Sequence, residues 1–177
     1  MLSFDPKKLV FIDETGAKTN MTRRYGRALR GKRLVDRVPH GHWVNTTMVG
    51  ALRQSGMTAV CVFDGAMNKD RLESYVRDVL CTTLRKGDIV VWDNLPAHKS
   101  SVAKALIESR GASLLALPPY SPDLNPIENA FSKLKARLRK EAIRDVGKLR
   151  DFLQQAEKLF SKAECKNYIR HAGYGTQ

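Results

Sequence analysis

The chain has 177 residues, 31 of them Lys or Arg against 18 Asp or Glu, giving a formal charge of +13. With 42% hydrophobic and 28% charged residues it holds enough apolar material for one folded core, which excludes a disordered chain, and its length leaves no room for a second large domain. No apolar run approaches the ~20 residues of a membrane helix, and the N-terminal MLSFDPKKLVFIDE lacks a secretory signal. Cys61, Cys81 and Cys165 are odd in number and widely spaced, which fits buried thiols better than a disulfide framework or a paired zinc site. A soluble protein inside the cell, with a polyanion and foremost nucleic acid as partner, is the expectation.

Lys8-Leu9-Val10-Phe11-Ile12-Asp13 reads as a buried strand stopped by the turn-forming Asp13-Glu14-Thr15-Gly16. Residues 18–37 hold Lys18, Arg23, Arg24, Arg27, Arg30, Lys32, Arg33 and Arg37 against one acid, Asp36, with Gly26 and Gly31 breaking any helix. This stretch reads as an exposed loop or ribbon. His42 to Leu52 and Thr58 to Phe63 form an antiparallel pair about Gln54-Ser55-Gly56. Asn68 caps a helix that carries Leu72, Tyr75, Val76, Val79 and Leu80 on one face and ends at Arg85-Lys86-Gly87. Asp88 to Asp93 repeats the first strand's pattern, an apolar run ending in Asp, and Asn94-Leu95-Pro96 stops it. A helix from Ser101 to Ser109 and a strand from Ser113 to Leu117 lead to PPYSPDLNP. The helix starting near Pro126 places Ile127, Ala130, Phe131, Leu134 and Leu138 on one face, with Lys133, Lys135, Arg137, Arg139 and Lys140 beside it. Residues 146–160 give another amphipathic helix, and the tail from Ala163 is weakly patterned.

The order is βββαβαβα: an α/β fold of ribonuclease H-like topology, with a mixed five-stranded sheet flanked by helices and the first and fourth strands parallel at its centre. Core residues run from about 8 to 140, and a helical extension covers about 141–177. Strand ends at Asp13 and Asp93 would then lie side by side, about 4.8 Å apart, at the carboxyl edge where α/β sheets bind ligands. Two ionised carboxylates at that spacing repel by roughly 3–4 kcal/mol at an effective dielectric near 20, and a divalent cation is the simplest remedy. Each Asp taken alone is better explained as a turn former, and it is the two matched strand ends that favour a site. Asn125-Pro126-Ile127-Glu128 reads on pattern alone as a capping box, with Asn at N-cap, Pro at N1 and Glu at N3. The functional alternative places Glu128 over the sheet edge as the third ligand of a hard, all-oxygen Mg²⁺ site. Glu14, Asn94 and Asn125, close in sequence to these acids, and His98, just past the second one, are supporting positions. Asp64 reads as a turn residue and Asp123 as another possible cap.

FIDETG, VVWDNLPAHKS and LPPYSPDLNPIENAFSKLK, with 34 residues between Asp93 and Glu128, resemble the catalytic domain of mariner-superfamily DDE transposases, most of all the bacterial insertion-sequence group six-thirty. The similarity spans about residues 8–140. It implies that Asp13, Asp93 and Glu128 are the catalytic, metal-binding triad, served by two Mg²⁺ ions for which Mn²⁺ substitutes. Strand cleavage to a free 3′-OH, followed by transesterification into target DNA at TA, is the implied reaction. The basic insertion at about residues 18–40 corresponds to a segment that clamps the partner subunit in some relatives, and Phe131 stands where many have Trp. Implied partners are transposon ends and target DNA, a second copy in a synaptic homodimer, and an N-terminal recognition polypeptide or frameshift-fused frame. The last follows because the chain begins at the first catalytic strand, with no helix-turn-helix region ahead of it. Location in the bacterial cytoplasm, on the nucleoid, goes with these.

Arg23, Arg24, Arg27, Arg30, Lys32, Arg33, Lys133, Lys135, Arg137 and Arg139 are the candidate phosphate contacts, which position DNA without reading its sequence. Two other functions fit parts of the chain: a stand-alone ribonuclease H-like nuclease or resolvase, and a catalytically idle DNA-binding remnant. Haloacid-dehalogenase folds also begin with a strand ending in Asp, but want a second Asp where Thr15 stands.

Overall fold

A computed structural model describes residues 4–40, 43–93, 100–119 and 121–175. Five strands, β1 (Leu9–Lys18), β2 (Asn45–Arg53), β3 (Gly56–Asp64), β4 (Ile89–Trp92) and β5 (Ser113–Ala116), form one sheet in the order β3-β2-β1-β4-β5. β1 runs parallel to β4, and β4 to β5, while β2 pairs antiparallel with both β1 and β3. The expected mixed sheet of ribonuclease H-like topology is therefore the one found.

Helix α1 (Lys69–Tyr75) passes through a π-helical turn, Val76–Leu80, into a last turn, Cys81–Thr83; α2 spans Ser101–Ser109. Both cover one sheet face, where Val10, Ile12, Val49, Val90 and Trp92 meet Leu72, Tyr75, Val76, Leu80 and Ile107. On the other face lie α3 (Ile127–Glu141), α4 (Val146–Gln154) and α5 (Lys162–Ile169), whose Ile127, Phe131, Leu134, Leu149, Leu153 and Ile169 pack on Leu9, Phe11, Met48, Leu52 and Val91. Alternate residues of β1 thus feed two separate cores, as the period of a strand requires.

Several expectations needed correction. β1 does not stop at Asp13 but continues to Lys18, because residues 13–18 remain paired with β2 from Gly50 to Asn45 after β4 has ended. Gly16, read as a turn residue, lies within this strand, and a Cβ there would meet Asn45 Oδ1 at 3.2 Å. Its smallness permits close approach rather than a reversal. The Asn68 cap is present, its side chain accepting from the Arg71 amide, but the helix ends at Thr83 because Leu84 is extended. The helix foreseen over 146–160 is α4 followed by a 3-10 turn, Ala156–Leu159. The tail is not featureless: Ser161 and Glu164 form a capping box that starts α5, whose Cys165 and Ile169 are fully buried.

At the amino edge of the parallel strands, Arg53 pairs with the buried Asp88 at 2.7 Å, and Asp88 also accepts from the Arg85 amide. Asp64, at the end of β3, pairs with Arg150 of α4. Cys81 and Cys165 are buried free thiols, and Cys61 is half-buried. Among the described residues no helix is long and apolar enough to cross a membrane.

Candidate active site

The parallel ladder pairs Leu9 with Ile89, Val10 with Val90 and Phe11 with Val91. Asp13 and Asp93 each stand two residues further on, at the same level, where β4 has ended and β1 continues paired with β2 alone. Asp13 shares the face of Phe11, the side on which α3 begins. Its carboxylate is held at both oxygens: the Glu14 amide donates to Oδ1 at 2.7 Å, and Asn125 Nδ2 donates to Oδ2 at 2.9 Å. Burial lifts the Asp13 pKa from the ordinary carboxylate range to about 7; the Glu14 amide opposes this, and the charges of Glu14, Glu128 and Asp93 add to it.

Asn125 is 4% exposed, and its alliance with Asp13 removes the capping-box reading. The residue at the head of α3 is Pro126, with no side-chain cap, and the Glu128 amide bonds only the Asn125 backbone carbonyl, at 3.2 Å. The Asn125 amide nitrogen is given to an acid 112 residues away, and its Oδ1 accepts from no helix amide among the described residues, so it does not cap its own helix. Glu128, in the first turn of α3, is left exposed on a cleft of about 520 Å³ whose walls include Asp123, Asn129 and His171. Asp123 itself lies in a 3-10 turn, Pro122–Leu124, and caps nothing.

Three acids, on β1, just past β4 and in the first turn of α3, therefore lie toward one edge of the sheet, near enough for Glu128 and Asp93 to act on the charge of Asp13. Their donor set is hard oxygen throughout, and Asn125 Oδ1 adds a buried acceptor that meets no hydrogen-bond donor among the described residues. That chemistry suits a small divalent cation. Among the described residues, however, no three His, Cys, Asp or Glu side chains stand close enough together to hold an ion. Asn94 and His98 lie outside the described residues.

The basic candidates divide into three groups. Arg23, Arg24, Arg27, Arg30, Lys32 and Arg33 are all exposed on an irregular arm between β1 and β2. Its root is held by Arg144, which donates to the carbonyls of Thr19 and Met21 at 2.7 and 2.9 Å. Large apolar side chains alternate with the charges, among them Tyr25 at 90% and Leu29 at 80% exposure. On α3, Lys135 and Arg139 are half-exposed, whereas Arg137 is engaged with Glu141 at 2.8 Å. Lys133 must be withdrawn as a phosphate contact. Its Nζ donates to the Leu159 carbonyl at 2.7 Å, pairs with Glu164 and lies over the Phe160 ring, tying α3 to the start of α5.

His171 and Tyr174 were missed by sequence reasoning. Both belong to a π-helical turn, Arg170–Tyr174, that follows α5 and returns to the cleft. The Ser161-x-x-Glu164 box, the one legible signal in that region, would have marked the helix that carries them there.

A mixed five-stranded sheet in this order, with helices on both faces and acids toward its central edge, defines the class of ribonuclease H-like domains. The chain belongs to the DDE superfamily endonuclease family, whose model matches residues 8–150. It is 30% identical over 93 residues to the transposable element Tc1 transposase of Caenorhabditis elegans, covering 52% of this chain and 33% of that protein. In fold it is similar to the pre-cleavage Mos1 transpososome, with a TM-score of 0.80 at 16% identity over 94% of this chain and 53% of the other. A Mos1 mariner paired end complex with Mn gives 0.75 at 18% identity, over 95% and 53%. The match thus spans about a third of the curated relative and about half of the Mos1 chains.

Proposed function

We propose that this chain is the catalytic domain of a DNA transposase that cleaves a strand to leave a free 3′-OH and then joins that end to target DNA. What supports this reading is membership of the DDE endonuclease family, together with the placement of Asp13, Asp93 and Glu128 toward one sheet edge, where Asn125 holds Asp13. The motifs around the three acids favour the bacterial insertion-sequence group six-thirty, with TA as target.

Asp13, Asp93 and Glu128 would hold two Mg²⁺ or Mn²⁺ ions. Such ions, when bound, make water a nucleophile near neutral pH and stabilise a departing oxygen. The chain's own residues do the rest. Asn125 and the Glu14 amide keep the Asp13 carboxylate in one orientation, and Lys135, Arg139 and the arm hold the phosphodiester backbone against the acidic edge. Water attacks the scissile phosphorus, the bond to the 3′ oxygen breaks, and that oxygen leaves as a hydroxyl. In the second step the new 3′-OH attacks a target phosphodiester, so one phosphorus–oxygen bond forms as another breaks and no external energy is consumed. Two such domains on paired ends make a homodimeric synaptic complex, and reading the end sequence calls for a recognition module on this or another chain. Such a reaction belongs on the nucleoid.

The test is Mg²⁺- or Mn²⁺-dependent nicking and strand transfer with pre-cut ends. Asp13→Asn, Asp93→Asn and Glu128→Gln are each expected to lower nicking by at least ~1000-fold while leaving DNA affinity within about threefold. Undiminished nicking in any one of them removes that acid from the triad, and nicking without joining by the parent favours a nuclease.

A further inference from the structure

We propose that Tyr174, from the turn that follows α5, is a positioning residue for the acidic edge: it braces β1 against the loop ahead of α3 and so sets the separation of Asp13 from Glu128. The inference rests on the reading of Asp13 and Glu128 as catalytic acids.

The Tyr174 ring packs edge-on against Phe11, with centroids 4.9 Å apart and planes at 60°. Phe11 lies two residues before Asp13 on the same face of β1. The Tyr174 hydroxyl donates to the Leu124 carbonyl at 2.9 Å, and the next residue is Asn125, which holds Asp13. Tyr174 therefore touches a chain neighbour of each partner in the Asn125–Asp13 hydrogen bond, and the contacts close a ring: Tyr174 to Phe11, along β1 to Asp13, across to Asn125, back through Leu124. Glu128 begins three residues beyond Asn125, on the helix that this loop introduces.

Packing alone would be served by a phenylalanine. A tyrosine at a half-buried site needs a partner for its hydroxyl, and here that partner is a backbone carbonyl of the loop that carries Asn125. Gly173, with φ of +89°, turns the chain so that Tyr174 faces the site. Cys165 and Ile169, both fully buried, anchor the helix that delivers it. Displacements near 1 Å at a reacting centre can cost about 100-fold in rate, so a brace at this point acts on turnover rather than on affinity.

The experiment compares the parent with Tyr174→Phe, which keeps the ring, and Tyr174→Leu, which removes ring and hydroxyl. Nicking of duplex DNA is measured at saturating DNA with Mn²⁺, DNA affinity in EDTA, and the rise in Tm on adding Mn²⁺. Tyr174→Phe is expected to lower kcat about fivefold and Tyr174→Leu about 100-fold. For Tyr174→Phe, DNA affinity in EDTA stays within about twofold, Tm without metal moves by no more than ~2 °C, and the Mn²⁺-induced rise is smaller than in the parent. The double variant Asn125→Ala/Tyr174→Phe is expected to lose no more than Asn125→Ala alone, because both act through one carboxylate. A Tyr174→Phe protein with parental kcat and a parental Mn²⁺-induced rise overturns the brace while leaving the transposase reading intact, as does a double variant whose loss is the product of the single losses. If the parent does not nick, or Asp13→Asn nicks equally well, the transposase reading fails and the brace falls with it.

Discussion

Asp13 concentrates the electrostatic strain of the fold. Its ionised form is disfavoured by burial and by three neighbouring carboxylates, so the folded protein holds a proton up to a pH of about 7, where the unfolded chain has released it near 3.8. Between those values the native state binds more protons than the unfolded one, and stability must fall as the pH rises across that window. Asp13→Asn removes this penalty. In metal-free buffer the variant is expected to be more stable than the parent at pH 8, by at most ~4 kcal/mol, and about equal to it at pH 4. Urea unfolding in EDTA at the two pH values measures this, and equal stabilities at pH 8 would contradict the strained state assigned to Asp13. The two aspartates were legible because each ends an apolar run. Glu128 was not, since a capping box uses the same letters, and only the direction taken by the Asn125 side chain separates the two readings.

Within α3 the basic residues look alike in sequence but serve different ends. Lys133 is bound to Leu159 and Glu164, which lie 26 and 31 residues away, so no local pattern distinguishes it from Lys135. The same contact holds Glu164 well below the carboxylate range, at about 2, through the Lys133 hydrogen bond first and the Ser161 bonds second. Lys133→Ala is expected to destabilise the fold by ~1–2 kcal/mol with DNA affinity unchanged. The pair Lys135→Ala and Arg139→Ala should do the reverse, weakening DNA binding by several-fold with Tm unmoved. Thermal melts beside filter-binding titrations separate the cases; weakened binding in Lys133→Ala at unchanged Tm would restore it as a DNA contact. Elements with strong periodicity, α1 through its Asn68 cap and α2 over Ser101–Ser109, were readable in place. The length of β1 was hidden because Gly16 resembles a turn residue, and α5 because a short helix with two buried side chains has little periodicity to show.

Across the whole molecule the charge of +13 is unevenly spread. Seven guanidinium and ammonium groups of the arm, Arg37 among them, stand in solvent, while part of the charge on α3 is consumed by Glu141 and Glu164. The arm should therefore dominate the salt dependence of DNA binding. Replacing Arg23, Arg24, Arg27, Arg30, Lys32 and Arg33 by Gln is expected to lower the slope of log K against log salt by up to about 5, with Tm unchanged because none of the six is buried. An unaltered slope would assign the phosphate contacts elsewhere.

The continuation of β1 beyond Asp13 also sets a distance. Five further residues bring the strand to Lys18, roughly 17 Å from the first acid at ~3.4 Å a residue. On a duplex that interval is about five base-pair steps, half a helical turn. A duplex laid along β1 would thus seat phosphates about five steps apart at Asp13 and at the root of the arm, and replacing the arm's basic residues should shorten one edge of a single protected window by about that interval.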